Sequence, residues 1–170
     1  MSRTRRQAVA VTLSAVALVP LLGGCFNGFN AQTTLQSRMN TGNGTQAQIG
    51  DVRVENATLV RGPEGSRTAT LVVTFVGSGY GDTVQSIEIG GKPAFVTGET
   101  IPVRPMTSVS YGWNSSMWIN SYDFEAAASS YVTVRFTLER SGIRDVAVLT
   151  VDPVGMYAGI APTPPTAPLT

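Results

Sequence analysis

The chain has 170 residues, 42% hydrophobic, 14% charged and 8% aromatic, with a net charge of +1, which is material for one domain. It contains no histidine, and this excludes Ser-His-Asp and Cys-His nucleophile pairs and every imidazole-ligated metal site. Twelve basic residues against eleven acidic ones provide no basic field for nucleic acid, and the frequent glycine and proline suit a turn-rich β domain better than a charged helical bundle.

Arg3, Arg5 and Arg6 precede an apolar run of 15 residues, 8–22, which matches a secretory signal and falls short of the ~20 residues that span a bilayer. The run closes on Leu22-Gly23-Gly24-Cys25, which resembles the lipobox of bacterial lipoproteins: a branched apolar residue, two small residues, then cysteine. The resemblance implies a signal peptide over residues 1–24, cleavage between Gly24 and Cys25, and a diacylglyceryl thioether on Cys25 with palmitate-like chains. Cys25 is the only cysteine, and acylation consumes a thiol that would be a liability in an exported chain. The alternatives are a conventional signal peptide with a chance cysteine, or an uncleaved anchor helix. Cleavage removes three arginines and no acids, leaving nine basic against eleven acidic residues and a formal charge of −2. Attachment therefore rests on the acyl chains, at ~0.8 kcal/mol per buried CH₂, rather than on anionic lipid. The expected location is the outer face of the bacterial cytoplasmic membrane, in the cell envelope.

Residues 25–48 hold Asn, Gln, Thr, Gly and Ser without a sustained apolar period, so they are expected to form a flexible lipidated tether, with a reach of about 25 to 30 Å. The domain body is expected over residues 49–156, where the apolar period is mainly two. Val52, Val54 and then Leu59 break phase around Asn56-Ala57, the signature of a bulge or a change of sheet. Residues 70–76 form a strand with Leu71, Val73 and Phe75 on its buried face; 84–89, 94–96, 101–103, 108–113 and 145–151 are shorter candidates between Gly, Pro and Ser punctuation. The clearest strand is 131–139, with Val132, Val134, Phe136 and Leu138 on one side and Thr133, Arg135, Thr137 and Glu139 on the other. A short helix is predicted over 123–129, capped by Asp123. Residues 157–170, with Pro162, Pro164, Pro165 and Pro168, are expected to be a disordered proline-rich tail. Seven to nine short strands predict an all-β fold, an antiparallel immunoglobulin-like or cupredoxin-like sandwich.

Two segments, Leu71-Val-Val-Thr-Phe-Val-Gly-Ser-Gly-Tyr-Gly-Asp82-Thr-Val and Val132-Thr-Val-Arg-Phe-Thr-Leu-Glu-Arg-Ser-Gly142, resemble strand and loop patterns of secreted actinobacterial lipoproteins of the LpqE type. The same patterns occur in their fold relatives, the PCuAC periplasmic copper chaperones. The resemblance implies a cupredoxin-like or immunoglobulin-like sandwich. It carries over no copper ligand, because those chaperones bind Cu(I) through His and Met and this chain has no His.

The residues that bear on chemistry are few. Gly77-x-Gly79-x-Gly81 lacks the spacing of a dinucleotide loop and precedes a strand rather than a helix, so it reads as a connecting loop whose amides Asp82 accepts. Met39, Met106, Met117 and Met156 are the soft donors of the mature chain, whereas a Cu(I) site usually takes three convergent soft or imidazole donors and thioethers ordinarily pack in cores. Asp123 with Glu125, and Asp145 with Asp152, lack calcium-loop spacing, and Lys92 falls in an exposed Gly-Gly hairpin turn. No cofactor, metal or catalytic residue is expected. Tyr111, Trp113, Trp118, Tyr122 and Phe124 gather both tryptophans within fourteen residues, among Asn and Ser. Such a set either stacks on an envelope glycan or partner protein or covers one end of the core. The expected function is a non-enzymatic binding or scaffold module, with copper handling as the alternative.

Overall fold

A computed structural model describes residues 44–160. The signal sequence, Gly24, Cys25, the first part of the tether and residues 161–170 lie outside the described residues. Eleven strands are joined in one sheet system, nine of them three residues or longer. In chain order they are β1 (Thr45–Ile49), β2 (Val52–Arg61), β3 (Ala69–Gly77), β4 (Asp82–Ile89), β5 (Lys92–Pro93), β6 (Phe95–Val96), β7 (Ile101–Val103), β8 (Ser108–Tyr111), β9 (Ile119–Ser121), β10 (Tyr131–Leu138) and β11 (Gly142–Val151). One layer runs β5-β4-β10-β11, with β7 also on β4; the other runs β2-β3-β9-β6, with β1 on β2 and β8 on β3.

The layers face each other across Phe75 and Phe136, both fully buried, whose rings meet edge to face at 5.8 Å and 81°. Alternation places Val134, Phe136 and Leu138 of β10 in this core, while Arg135 faces solvent and pairs with Asp145. In β2 the phase breaks as its sequence requires. Glu55 pairs with Thr74 and Thr58 with Val72, so Asn56 and Ala57 together oppose Val73, and Asn56 takes a φ of 56°. Val52, Val54, Ala57 and Leu59 thereby all point inward.

Four expectations need correction. The sheet starts at Thr45 rather than at residue 49, because β1 pairs with β2 from Thr45↔Ala57 to Ile49↔Val52. At the other end order continues to Ile160, which is buried and accepts a hydrogen bond from Thr70 Oγ1 at 3.2 Å, so residues 157–160 belong to the domain and not to the tail. The sandwich is not purely antiparallel, since β11 pairs with β2 in parallel through Leu149–Val151. Residues 123–129 form no helix: the Phe124 amide donates to the Arg67 carbonyl, and the Asp123 carboxylate is taken up by Lys92 and Arg67 instead of capping a turn. Among the described residues the helical element is a single 3-10 turn, Gly155–Tyr157.

At the end of the sandwich where β3 passes to β4, the glycine loop is a connection, with Gly79 and Gly81 at φ of 50° and 65°. The acid that serves it is Asp51, which accepts from the Tyr80 amide at 3.0 Å, and not Asp82. Asp82 is buried and accepts instead from the amides of Thr83 (2.7 Å), Arg140 (3.1 Å) and Ser141 (2.9 Å), stapling β4 to the β10–β11 turn. Burial alone would raise its pKa. The Ser141 hydroxyl and the three amides outweigh that cost and hold it below the usual carboxylate value. Another buried polar group has no such compensation: the Thr150 hydroxyl, on the core-facing side of β11 with Val146 and Val148, has no hydrogen-bond partner among the described residues.

Two predictions follow from these groups. A depressed folded-state pKa contributes stability that is complete above the unfolded Asp value of about 3.9 and is lost as pH falls through the folded value. The thermal midpoint should therefore hold at neutral pH and drop below about pH 4. Asp82→Asn, which turns an amide donor toward backbone donors, should cost about 1 to 3 kcal/mol at pH 7 and flatten that acid drop. Thr150→Val keeps the shape and removes the orphan hydroxyl, so chemical denaturation should show a gain of about 1 kcal/mol.

Candidate functional site

Gly90 and Gly91, at φ of 61° and 79°, turn the chain back so that Ile89 pairs with Lys92, the two-residue hairpin that the sequence implies. The strand does not continue along β4. After Pro93 the Ala94 amide still bonds to the Ile87 carbonyl at 2.8 Å, but Phe95 and Val96 pair with Asn120 and Ile119 of β9 in the other layer. Ala94 and Val96 pack against the core, which turns Phe95 outward. Its ring is 63% exposed.

On β9 the same alternation sends Ile119 and Ser121 inward and places Trp118, Asn120 and Tyr122 on the outer side. The Tyr122 ring, 38% exposed, lies 6.4 Å from that of Phe95 at 57°. Trp118 is half-buried and held by backbone bonds to Thr97, one to its hydroxyl and one from its amide. Asn120, opposite Phe95, is buried; its carboxamide accepts from Thr70 Oγ1 at 2.8 Å and donates to Tyr122 Oη at 3.4 Å. The result is a pair of exposed rings in mutual contact, one on β6 and one just past the end of β9, with a fixed amide beside them.

Charges border this face without biasing it. Asp123 pairs with Lys92 at 2.5 Å and with Arg67, which also pairs with Glu125 at 2.5 Å. The Lys92 and Arg67 hydrogen bonds hold the Asp123 carboxyl below its usual range, and Asp123 chiefly raises the Arg67 guanidinium. Beside them a shallow cleft of about 240 Å³ opens between Arg67, Thr68, Phe124 and Glu125. The second acid pair is split between cations, Asp145 on Arg135 and Asp152 on Arg61. Among the described residues no three His, Cys, Asp or Glu side chains gather as metal ligands would.

The structure divides the aromatic set predicted from sequence. Tyr111 is a correction: it is buried, its ring edge-on to Phe75 at 6.3 Å, because β8 pairs Tyr111 with Val73 and puts both side chains inward. Burial raises its phenol pKa. Phe124 is buried as well. Trp113 is 48% exposed, in the turn after β8 that Ser115 closes on Gly112. Trp118 and Tyr122 share one face with Phe95. Phe95 lies far from the cluster in sequence, and the signal for it was the alternation Ala94-Phe95-Val96, which fixes its direction.

No family model and no curated protein matches the sequence. Solved structures do resemble the fold. The copper-bound PCuAC domain from PmoF2 superposes with a TM-score of 0.54 at 14% identity, covering 64% of this chain and 99% of that one. The apo form of the same domain gives 0.56 at 14%, covering 67% and 100%, and the apo PCuAC domain from PmoF1 gives 0.55 at 13%, covering 64% and 100%. The chain thus has the β-sandwich fold of PCuAC domains.

Core and surface rings should separate experimentally. Tyr111→Ala is expected to cost ~3 kcal/mol or more as a cavity change, whereas Trp113→Ala should stay within about 0.5 kcal/mol. Acrylamide should quench the tryptophan emission of the folded wild-type protein and reach Trp113 first.

Proposed function

We propose that this chain is a non-enzymatic binding module of the bacterial cell envelope, held at the membrane by acylated Cys25, and that the face built from Phe95, Trp118 and Tyr122 engages a partner protein or glycan. The observation that carries the reading is the exposure of the Phe95 and Tyr122 rings, 63% and 38%, beside the pairing of β6 with β9. Large rings in water gain free energy by stacking on a flat apolar surface, and here the strands have already met the cost of ordering them. The neighbouring ion pairs neutralise one another, which favours an uncharged ligand or partner surface.

The fold likeness to a copper-bound PCuAC domain favours a second reading, copper handling. The soft donors among the described residues suit it poorly. Met106 lies beside Gly77 at the end of β3, while Met117 bonds to Gly112, which packs on Val72. Five strand residues separate these places, about 16 Å. Met156 lies in the 3-10 turn of another segment.

Fractionation and capture test the main reading. Cys25→Ser is expected to move the protein from the membrane to the soluble or secreted fraction; continued sedimentation with membranes would sink the lipid anchor. Phe95→Ala combined with Tyr122→Ala should reduce capture of the chief envelope contact from detergent-solubilised membranes about tenfold or more, with the unfolding midpoint little changed. For the second reading, a Cu(I) competition titration is expected to show binding no tighter than that of a scrambled methionine peptide. Tight one-to-one binding would replace the main reading with copper handling.

A further inference from the structure

A chain of contacts links the exposed rings to the shallow cleft beside them. The Phe95 ring meets that of Tyr122 at 6.4 Å, and the next residue, Asp123, takes Lys92 on Oδ2 at 2.5 Å and Arg67 on Oδ1. Arg67 also holds Glu125 at 2.5 Å, and Arg67, Phe124 and Glu125 line the cleft of about 240 Å³. Tyr122 and Phe124 are two residues apart, at most about 7 Å of chain. Rings and cleft therefore adjoin.

The loop between β2 and β3 builds the cleft. Its Gly62 amide donates to the Thr68 carbonyl at 2.7 Å and its Ser66 amide to the Pro63 carbonyl at 2.9 Å. Gly62 has no room for a side chain, since a Cβ there would meet the Thr68 and Ser66 hydroxyl oxygens at 2.0 and 2.3 Å. Arg67 stands at a φ of 50°, which residues other than glycine seldom adopt. Residues held in such conformations gather at ligand sites. Lys92, Asp123, Arg67 and Glu125 form a row exposed to water along its whole length, and exposed ion pairs add little to stability. Stability alone gives the fold little use for an arginine held this way.

We infer that this row and its flanking rings bind a neutral oligosaccharide, with one sugar stacked on Tyr122 and Phe95, the next in the cleft, and sugar hydroxyls bridging the ion pairs. A hydroxyl both donates and accepts, so neighbouring hydroxyls of one sugar meet a cation and the carboxylate beside it together. The row alternates in sign and sums to zero; an anionic ligand would meet Asp123 and Glu125 as readily as Lys92 and Arg67. The apolar C–H face of a sugar covers an aromatic ring, while Ser66 and Thr68 line the cleft with hydroxyls. A protein partner would want a broader apolar centre, depleted of charge. The inference rests on reading Phe95 and Tyr122 as a binding face, and it narrows the ligand of that face to a glycan.

The test titrates nitrogen-labelled full-length protein, in a detergent without a sugar headgroup, with oligosaccharides released from the bacterial envelope by partial hydrolysis. Ion exchange divides them into neutral and anionic fractions. In NMR spectra the neutral fraction should shift the amides of Arg67, Lys92, Phe95, Tyr122 and Glu125 saturably, and the anionic fraction should not. Arg67→Gly removes the guanidinium and keeps the turn, because glycine takes a positive φ freely. That variant and Tyr122→Ala should each weaken binding of the neutral fraction about tenfold or more, with thermal midpoints little changed. The absence of a saturable shift, shifts elsewhere on the domain, a response to the anionic fraction alone, or full binding by both variants overturns the inference. The two readings fail separately. Capture of an envelope protein that depends on Phe95 and Tyr122, without binding of the neutral fraction, overturns the glycan and leaves the binding face. Capture and glycan binding that both survive the combined Phe95→Ala and Tyr122→Ala change overturn the face as well.

Discussion

The extra residue in β2 decides how the two layers join. Up to Ala57 the strand pairs with β1, and beyond it, from Thr58 to Val60, with β11. A regular strand could not bury both halves, because a period of two would turn Leu59 outward once Val52 and Val54 face the core. With Asn56 at positive φ and Ala57 turned in, the phase resets and all four apolar residues face the core. The added bend and twist of a bulged strand let β2 leave its antiparallel neighbour and accept β11 in parallel. One strand thereby belongs to both layers.

Closure on the opposite side has another origin. The chain between Pro93 and Phe95 passes from β4 to β9, and the two-residue strands β5 and β6 are the two sides of that corner. Proline suits it, since it needs no amide donor there. Because inward places at a corner are few, Ala94 and Val96 take them and Phe95 is left outside. The exposed ring is thus a by-product of closing the sandwich, and its neighbour Tyr122 follows from the alternation of β9. A buried carboxamide, Asn120, ties the Tyr122 hydroxyl to Thr70 of β3.

The same sandwich occurs in copper-bound and apo PCuAC domains. A scaffold of this kind constrains which loop lies near which, while ligand chemistry depends on the side chains placed there. In this chain the outer side of β6 and β9 carries rings, an amide and hydroxyls, and the adjoining charges are committed to one another. Flat apolar stacking is the chemistry those groups supply best.

The sequence by itself determined the strands with regular alternation. Val134, Phe136 and Leu138 against Arg135, and Leu71, Val73 and Phe75 on β3, are legible because one face of each strand is wet, and the broken phase at Asn56-Ala57 is equally local. The absence of histidine and the lone Cys25 are facts of composition. What only the tertiary structure decided depends on pairings distant along the chain. The outward ring of Phe95 takes its significance from Asn120 across the strand, and Tyr111 is buried because β8 pairs with β3. Asp123 lost its helix to Lys92 and Arg67, and Asp82 serves the β10–β11 turn while Asp51 serves the glycine loop. Period and composition report on a residue's own strand, whereas each of these outcomes is set by a partner that only folding brings within hydrogen-bond reach.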